Sequence, residues 1–579
     1  MSKLEIPNEL KYLKGGRYEP AMRIYYNSFS FEDILPAFFY LTRTARRRGR
    51  GEWSERTARK VAEELSLKHD KFVGFDHDHG RRLLEEWLKA SVLRLIERGE
   101  QDKVMGIRPL HFLTYRVDLP KNWAHTRSVP EFLAAILHQH PNSSPLKDED
   151  VFPLQSPQNL FWQIFGVGLT NRGPHFQNAD LDAYDDSQDL DIEALLTVRV
   201  VEGLRKPAEQ TGREISGFEP LCPKQARLFR EDFSLFLRAY APPAVPVRVL
   251  GDYVLCLLSL NLTVYSLKHF AASNYLYETG EWLDDRQHDW ELDIYPDLTG
   301  GRVRLSRELA RQSYRRHQDW ILRQLRTMIG FRLLDYYLKS ATDIPELRKL
   351  RQLTGIEFLK TLALGRQPGC QEIYQEAQGS ARPALRGLQQ HQQEDGEWPA
   401  DMKSIAEDPG LLPFDRLVEL LAAHQYDLHS NMFKFFFSIT RRNLESGLLG
   451  GNPRQKDDNY YTLGLQLLET LVQLLILKPG DPPRIRPLDI YDFVDLLKER
   501  YGIWIDEPPP SLDTGYEARA AAQANFEALK EKLRQLGFFR AVTDARRMQR
   551  LKPRYLLRQT LTPTLNQEDS HEQMAGTAG

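Results

Sequence analysis

Cysteine is scarce in this sequence, and no hydrophobic run is long enough to suggest a membrane span. Only Cys222, Cys256 and Cys370 occur in 579 residues, and their odd number and wide spacing fit neither a disulfide framework nor a metal-binding motif. The most apolar stretch, residues 253–267, is shorter than the roughly 20 residues that cross a bilayer, so we expect a helix buried in the core. The N-terminus has no signal-peptide pattern. We therefore predict a cytoplasmic protein without a membrane partner.

Charge of one sign is not in excess either. The chain has 78 Lys and Arg residues against 80 Asp and Glu residues, a formal net charge of −2. A protein that coats nucleic acid with its whole surface would be more basic, so any such contact must be confined to one region. The 41% hydrophobic and 27% charged residues are typical of a folded protein. A chain of this length predicts two to four domains.

Known catalytic and cofactor-binding motifs are missing. The sequence has no nucleophile elbow, paired zinc ligands, Walker lysine loop, kinase motif or nuclease-type acid–lysine pattern. The turn at Gly300-Gly301 lacks the spacing of a phosphate-binding loop. We therefore predict no cofactor and no metal, and we favour a non-catalytic role. A catalytic site assembled from distant residues would escape such a search.

Two acidic or histidine-rich segments invite a metal-binding interpretation that their spacing does not support. His77 and His79 stand two residues apart, just before a predicted helix at 81–96, where Asp76 or Asp78 would serve as the N-cap. The aspartates between residues 180 and 191 lack the glycine and the closing glutamate of a calcium loop. We interpret the first segment as a helix start and the second as an acidic linker.

The helical periodicity and the breaks between periodic segments predict a mainly α fold, that is, a multi-domain helical protein with a C-terminal winged-helix-like module. The predicted divisions are an N-terminal helical domain (1–140), an acidic and Pro-rich linker region (141–217), a central helical core domain with a short strand at 290–295 (218–342), a second helical domain (343–480), the winged-helix-like basic module (481–558) and a disordered tail (559–579).

A long arginine-rich helix is predicted at about 306–338. Six of its arginines lie largely between the apolar positions, at Arg307, Arg311, Arg315, Arg323, Arg326 and Arg332. Such a helix can follow a phosphate backbone, or it can hold domains together through salt bridges. We favour the second interpretation, because the aromatic residues on the same helix require burial.

The segment from 487 to 558 is the part of the chain whose pattern implies a partner. Apolar residues from Ile490 to Tyr501 follow one helix face and end at Gly502, and a second helix is predicted at 517–536 with Gly537 as its C-cap. From Lys530 onward the segment carries ten Lys and Arg residues against two acids. Two helices followed by a basic tail of hairpin size resemble a winged helix-turn-helix.

In a winged helix, one helix enters the major groove of duplex DNA and the basic wing holds backbone phosphates. We expect Lys530 and Arg534, on the exposed side of the second helix, to face the groove. The residues predicted to contact phosphates are Arg540, Arg546, Arg547, Arg550, Lys552 and Arg554. The predicted partner is duplex DNA, with RNA as an alternative. A module of this shape that contacts only proteins is the competing interpretation.

Five short segments are familiar as a set. They are DLTGG at 297–301, LKERYGI at 497–503, LRQLGF at 533–538, ARRMQ at 545–549 and PRY at 553–555. Together they resemble large uncharacterised accessory proteins of methylation-associated anti-phage defence systems in bacteria. The resemblance implies a role beside a methyltransferase, ATPase or nuclease encoded nearby. It transfers no active-site residue.

The sequence thus leads to two principal hypotheses. The first is a non-catalytic, nucleic-acid-binding component of a bacterial anti-phage defence complex, which contacts other defence-system proteins. The alternative is a helical scaffold or adaptor that binds only protein partners. Binding to a labelled duplex at two salt concentrations separates the two, because phosphate contacts make affinity depend on salt.

Overall fold

The computed structural model describes residues 18–48, 56–68, 70, 72–98, 101–117, 126–138, 151–169, 191–204, 211–215, 219–286, 288, 290–341, 343–395, 400–424, 426–452, 458–538 and 550–557. The helices in these residues are α1 (Ile34–Thr44), α2 (Ala58–Ser66), α3 (Asp78–Trp87), α4 (Val129–Leu137), α5 (Leu160–Phe165), α6 (Ile192–Leu204), α7 (Pro223–Ala239), α8 (Val247–Thr279), α9 (Arg304–Leu338), α10 (Gly355–Ala363), α11 (Gln371–Asp395), α12 (Ala400–Glu407), α13 (Pro413–His424), α14 (Tyr426–Ile439), α15 (Leu465–Leu475), α16 (Ile490–Tyr501) and α17 (Tyr516–Gln535). The predicted mainly α fold class is confirmed.

The strands are short and pair two by two. They are β1 (Arg46–Arg48), β2 (Leu93–Arg98), β3 (Gln101–Ile107), β4 (Thr211–Glu214), β5 (Leu449–Gly450), β6 (Tyr460–Tyr461), β7 (Leu477–Lys478), β8 (Arg484–Ile485), β9 (Leu488–Asp489) and β10 (Arg550–Leu551). All five pairs, β1–β4, β2–β3, β5–β6, β7–β8 and β9–β10, are antiparallel. Each pair connects two segments between helices or closes a turn. In the described residues no pair extends into a larger sheet.

The centre of the molecule is the packing of α8 against α9. Side chains on all faces of α8 are buried, as expected for a core helix that is apolar all round, and this confirms the predicted buried helix. Within the described residues α8 also has the length and hydropathy of a membrane span, with 83% of the apolar window buried in the fold. Polar residues join the two helices: Ser273 donates to Gln324 at 2.7 Å, and Asn274 donates to the Trp320 carbonyl at 3.0 Å.

A glycine permits this close approach of the two helices. An added Cβ at Gly330 of α9 would lie 2.0 Å from the Tyr277 hydroxyl oxygen. Tyr277 is buried, and the Arg366 guanidinium covers its ring at 4.1 Å, so the ring has no room to move. We expect Gly330→Ala to lower the free energy of unfolding by about 1–3 kcal/mol, measured by urea denaturation.

Gly379 provides the matched control for this substitution. It lies on an exposed face of α11, and no heavy atom lies within 4 Å of the position that a Cβ would take there. Alanine at this position should raise the free energy of unfolding by up to about 1 kcal/mol, because alanine is the better helix former. Equal effects of the two substitutions would contradict the packing account of Gly330.

The arginines of α9 mostly hold other elements by ion pairs. Arg307 pairs with Asp297 at 2.6 Å, Arg326 with Glu419 at 2.8 Å, Arg315 with Glu308 at 3.3 Å and Arg323 with Glu278 at 4.0 Å, and Arg311 pairs with Asp458. Three of these acids lie on segments far away in the chain. The interpretation of this helix as a salt-bridged structural element is therefore confirmed.

Two local predictions in the first hundred residues were wrong. The helix predicted at 81–96 is present as α3 and a π-helical turn at Leu88–Val92, but residues 93–98 form β2, because pairing with β3 decides an apolar run that fits both periods. The N-cap of α3 is neither Asp76 nor Asp78. The Nδ1 atom of His77 instead accepts a hydrogen bond from the Gly80 amide at 2.8 Å.

The central strand predicted at 290–295 is much shorter than expected. Only Ile294 pairs, in a single parallel bridge with Ile503. The bridge is closed by backbone hydrogen bonds from the Ile294 amide to the Gly502 carbonyl and from the Trp504 amide to the Ile294 carbonyl, both 2.8 Å. The alternation of apolar and polar residues at 290–295 therefore indicates an extended segment, and the segment after α16 pairs with it at Ile503.

The C-terminal helices form as predicted. The Asp489 carboxylate accepts from the amides of Tyr491 and Asp492 at 2.9 Å and begins α16, and Gly502, with φ +67°, ends it. Gly537 likewise follows α17 with φ +80°, a backbone conformation that favours glycine. The winged-helix arrangement stays a prediction, because residues 539–549, which include most of the proposed wing, lie outside the described residues.

Most buried apolar side chains from Tyr18 to Leu551, including those of α16, form one continuous cluster, and a second, small cluster joins α9 to the start of α17. Within the predicted linker region, α5 and α6 contribute to the continuous cluster. The C-terminal helices are also held to this cluster by a polar contact: Asp232 of α7 is fully buried and accepts from Arg500 at 2.6 Å and from the Tyr501 hydroxyl at 2.7 Å. The predicted domain boundaries stay predictions.

Three buried histidines make the fold sensitive to acid. Burial lowers the pKa of His111 to about 4, of His269 to about 4 and, together with Arg316, of His317 to about 3. The unfolded chain binds protons near pH 6.5 and the folded chain does not, so stability is lost as the pH falls from 6.5 towards 4. Each histidine should remove about 2 kcal/mol between pH 7 and pH 5.

The measurement is urea denaturation at pH 7.5 and pH 5.0 on the native chain and on His269→Phe. Neither ring nitrogen of His269 has a hydrogen-bond partner in the described residues, so phenylalanine leaves no buried polar group stranded. The variant should show a smaller difference between the two pH values by about 2 kcal/mol. An unchanged difference would show that His269 does not contribute.

Candidate nucleic-acid interface

The two residues expected to face a DNA groove are paired with acids on their own helix. Lys530 donates to Glu527 at 2.7 Å and lies 4.4 Å from the Phe526 ring centre, and Arg534 pairs with Glu531 at 2.5 Å. The Arg534 pair is exposed, and such pairs contribute little energy and are easily exchanged for other partners. The Lys530 side chain, in contrast, is only 16% exposed, so it is less accessible than the sequence led us to expect. Both residues stay candidates, with their charge partly neutralised in the free protein.

The basic residues at the end of the described chain have different surroundings. Arg554 pairs with Glu469 of α15 and donates to the Leu536 carbonyl at 2.6 Å. Arg550 and Lys552 are exposed, and neither has an acidic partner within the described residues. The remaining predicted contacts, Arg540, Arg546 and Arg547, lie outside the described residues.

A larger basic surface, which the sequence did not predict, lies along α7. One side of this helix lines a groove of about 1890 Å³, with Lys224, Arg227, Arg230, Ser234 and Arg238 facing into it. Steps of three and four residues place these side chains on one face of the helix. We call this feature the α7 groove. The basic spacing on α7 was the one signal in the sequence that could have revealed it.

The other walls of the α7 groove come from segments far apart in the chain. Among the described residues, ten Lys and Arg side chains line it: Arg23, Lys224, Arg227, Arg230, Arg238, Arg286, Lys339, Arg351, Arg486 and Arg500. The four acidic residues are Glu19, Glu219, Glu231 and Asp481. A chain with a slightly negative total charge thus concentrates positive charge in one concave surface.

The charges in the α7 groove differ in how well they are neutralised. Arg227 pairs with Glu231 and Arg238 with Asp481, both at 2.8 Å. Arg486 instead donates to the Leu475 carbonyl at 2.7 Å, and burial together with the charge of Arg500 lowers the pKa of the Arg486 guanidinium. A bound anion would relieve this crowding of like charges.

The base of the α7 groove is apolar. The apolar residues there are Leu353 and Leu496, which are partly exposed, together with Leu350, Phe358, Leu474, Leu475 and Leu477, which are almost fully buried. Such a base can contact the faces of unstacked nucleotides, or the apolar side of an amphipathic helix from a protein partner. The geometry therefore accommodates both hypotheses formed from the sequence.

The α7 groove and the C-terminal basic residues lie near each other along one strand pair. Arg486, at the edge of the groove, is separated from β9 by one residue, and β9 pairs with β10, where Arg550 is opposite Asp489. The predicted and the newly found basic residues therefore share one region of the molecule.

In the described residues no three His, Cys, Asp or Glu side chains are grouped as metal ligands.

Comparison with known proteins gives one family match. A family model described as methylation-associated defense system protein MAD7 matches residues 11–555. No curated protein and no solved structure matches this chain.

Proposed function

The chain belongs to the family of methylation-associated defense system protein MAD7, and from this premise we propose that it is a non-catalytic, nucleic-acid-binding component of a bacterial anti-phage defence complex. The family match confirms the resemblance found in the sequence and carries the defence role. Nucleic-acid binding is our own inference, as are a cytoplasmic location and contacts with other proteins of the same system.

The α7 groove is the observation that carries this proposal. Pockets for small ligands have volumes of about 300–1000 Å³, whereas this groove has about 1890 Å³ and ten basic residues. A polymer with regularly spaced negative charges fits these dimensions and this charge. Because the basic side chains come from several segments and present no ordered set of hydrogen-bonding groups, we expect contacts mainly to phosphates and little dependence on sequence.

Fluorescence anisotropy with a labelled duplex and a labelled single strand, at 50 and 200 mM salt, tests the proposal. Four phosphate contacts from α7 alone would give a slope of log affinity against log salt of about −3.6 for duplex DNA. Affinity that does not change with salt, or no binding at 50 mM salt, would contradict nucleic-acid binding by this surface.

The apolar base of the groove favours one second candidate, a scaffold that docks an amphipathic helix of a protein partner. In that case duplex and single strand fail to bind, while substitutions at Leu353 and Phe358 weaken association with the other proteins encoded in the same system. Co-purification of those proteins with the native chain and with Leu353→Ala/Phe358→Ala distinguishes the two candidates.

The C-terminal basic residues have their own prediction. The double variant Arg550→Glu/Lys552→Glu should reduce the salt slope for duplex binding by about 1.8 if both residues contact phosphates. Because both side chains are exposed, we expect unchanged thermal stability. Charge reversal at Arg546 and Arg547 should have a similar effect. An unchanged slope in both variants would confine the interface to the α7 groove.

A further inference from the structure

A second concave site lies outside the α7 groove and shares no lining residue with it. It has a volume of about 770 Å³ and is formed by residues 28–32, 94–96, 105–110 and 248–255. These segments are the residues that precede α1, the β2–β3 hairpin with the residues after it, and the first turns of α8. The volume falls within the range of small-ligand pockets, so this cavity is suited to a small molecule.

The floor of the cavity is a network of fixed charges. The Glu32 carboxylate lies between two guanidinium groups, at 3.4 Å from Arg94 and 3.2 Å from Arg441, and Arg94 also pairs with Asp33. Burial alone would raise the pKa of Glu32, but Arg441 and Arg94 hold it below its usual range. The Nε atom of Arg94 is buried and has no hydrogen-bond partner in the described residues.

The mouth of the cavity carries two further arginines with less compensation. Arg248, on the first turn of α8, pairs with Glu193 at 3.2 Å. Arg108, which follows β3, has no acidic side chain within ion-pair distance in the part of the chain that the structure describes. Burial and the nearby charge of Arg248 lower the pKa of Arg108, and the carboxylates of Glu193 and Asp252 oppose this shift only in part. Two like charges at one opening stabilise an anion placed between them.

The rest of the lining supplies groups of a different kind. Asp252 lies one turn after Arg248 on the same face of α8 and is exposed to solvent. Ser28 and Ser30 also line the cavity. A carboxylate accepts hydrogen bonds from sugar hydroxyls, and serine both donates and accepts. Arginine presents a planar fork of donors that matches a phosphate better than a point charge does.

We propose that this cavity binds a phosphorylated small molecule of mononucleotide size, with the phosphate between Arg108 and Arg248 and a hydroxyl-bearing part directed to Asp252. The inference is independent of nucleic-acid binding in the α7 groove. Because Arg108 and Arg248 belong to different elements, the bound ligand joins the β2–β3 hairpin to α8 and stabilises the fold against unfolding.

Isothermal titration calorimetry of the full chain with three probes tests the site. AMP and ribose 5-phosphate carry the phosphate, and adenosine lacks it. We expect both phosphorylated probes to bind and adenosine not to bind. Arg108→Gln and Arg248→Gln should each weaken AMP binding at least tenfold. Arg248 is exposed, so its variant tests the site even if Arg108→Gln unfolds.

Arg227→Gln, in the α7 groove, is the matched control and should leave AMP affinity unchanged. Absence of AMP and ribose 5-phosphate binding to the native chain overturns the inference, and so does equal AMP affinity of the native chain and Arg248→Gln. Duplex binding by Arg248→Gln, measured in the same preparation, reports on the α7 groove separately. The two proposals can therefore fail independently.

Discussion

Charge reversal of three residues in the α7 groove, Lys224→Glu, Arg227→Glu and Arg351→Glu, is expected to abolish nucleic-acid binding at physiological salt. All three side chains are exposed and line the groove. Losing three phosphate contacts reduces the salt slope by about 2.7, which corresponds to a roughly 100-fold loss of affinity at 0.15 M salt. The introduced carboxylates repel phosphates and add to this loss. Anisotropy at several salt concentrations measures both quantities.

The control is a second triple variant with the same change in net charge, Arg59→Glu, Arg315→Glu and Arg323→Glu. These arginines are exposed and do not line the groove. Long-range electrostatic effects should lower the affinity only slightly, because charges separated by more than the Debye length of about 8 Å are largely screened. Equal loss of binding in both variants would show that net charge, and not the groove, controls affinity.

Removing the arginine that neutralises Asp232 is expected to have the largest effect on stability. Arg500→Ala leaves the fully buried Asp232 carboxylate with only the Tyr501 hydroxyl and the Asn261 amide as partners. Breaking one side of a buried ion pair costs about 3–5 kcal/mol. We expect a loss of this size in urea denaturation at pH 7.5.

The pH dependence of this loss identifies its cause. Burial already raises the pKa of Asp232, with Arg500 and Tyr501 opposing the shift, and without Arg500 the pKa rises further. A carboxyl group with a raised pKa in the folded state favours folding when it is protonated, so the deficit of Arg500→Ala should shrink as the pH falls towards 5. A deficit that is independent of pH would point to lost packing.

A neighbouring ion pair on α16 gives the control for Arg500. Lys498 contacts Glu507 at 2.5 Å, and both side chains are at least one third exposed. An exposed pair contributes about 0–1 kcal/mol, so Lys498→Ala should change the free energy of unfolding by no more than that. A loss at Lys498 as large as that at Arg500 would contradict the importance of burial.

The parts of the fold that could be predicted depend on short-range signals. The apolar face from Ile490 to Tyr501 and Gly502 specify α16, and Gly537 specifies the end of α17. Each of these signals acts within its own helix. The apolar run on α8 likewise predicts its own burial. The helix prediction failed for the residues of β2 (93–98), because pairing with β3, and not the periodicity of the segment itself, decides its structure.

The site was harder to predict because its members are scattered. Arg23, Arg227, Arg351 and Arg486 are brought together only by the tertiary fold, so no spacing rule collects them. The basic face of α7 was readable, but any helix of a protein with 27% charged residues carries some solvated positive charge. The predicted C-terminal residues could be recognised because they lie within one short segment, 530–554, and their role stays a prediction.

The helix α7 has two roles: it lines the groove, and it binds α16. Arg227 and Glu231 are exposed and line the groove. The next residue, Asp232, is buried and accepts hydrogen bonds from Tyr501 and from Arg500, which also lines the groove. A polyanion that binds Arg227 and its neighbours would exert force on α7, the same helix that holds α16 in place. We therefore expect an anion bound in the groove to change the stability of the contact between α7 and α16.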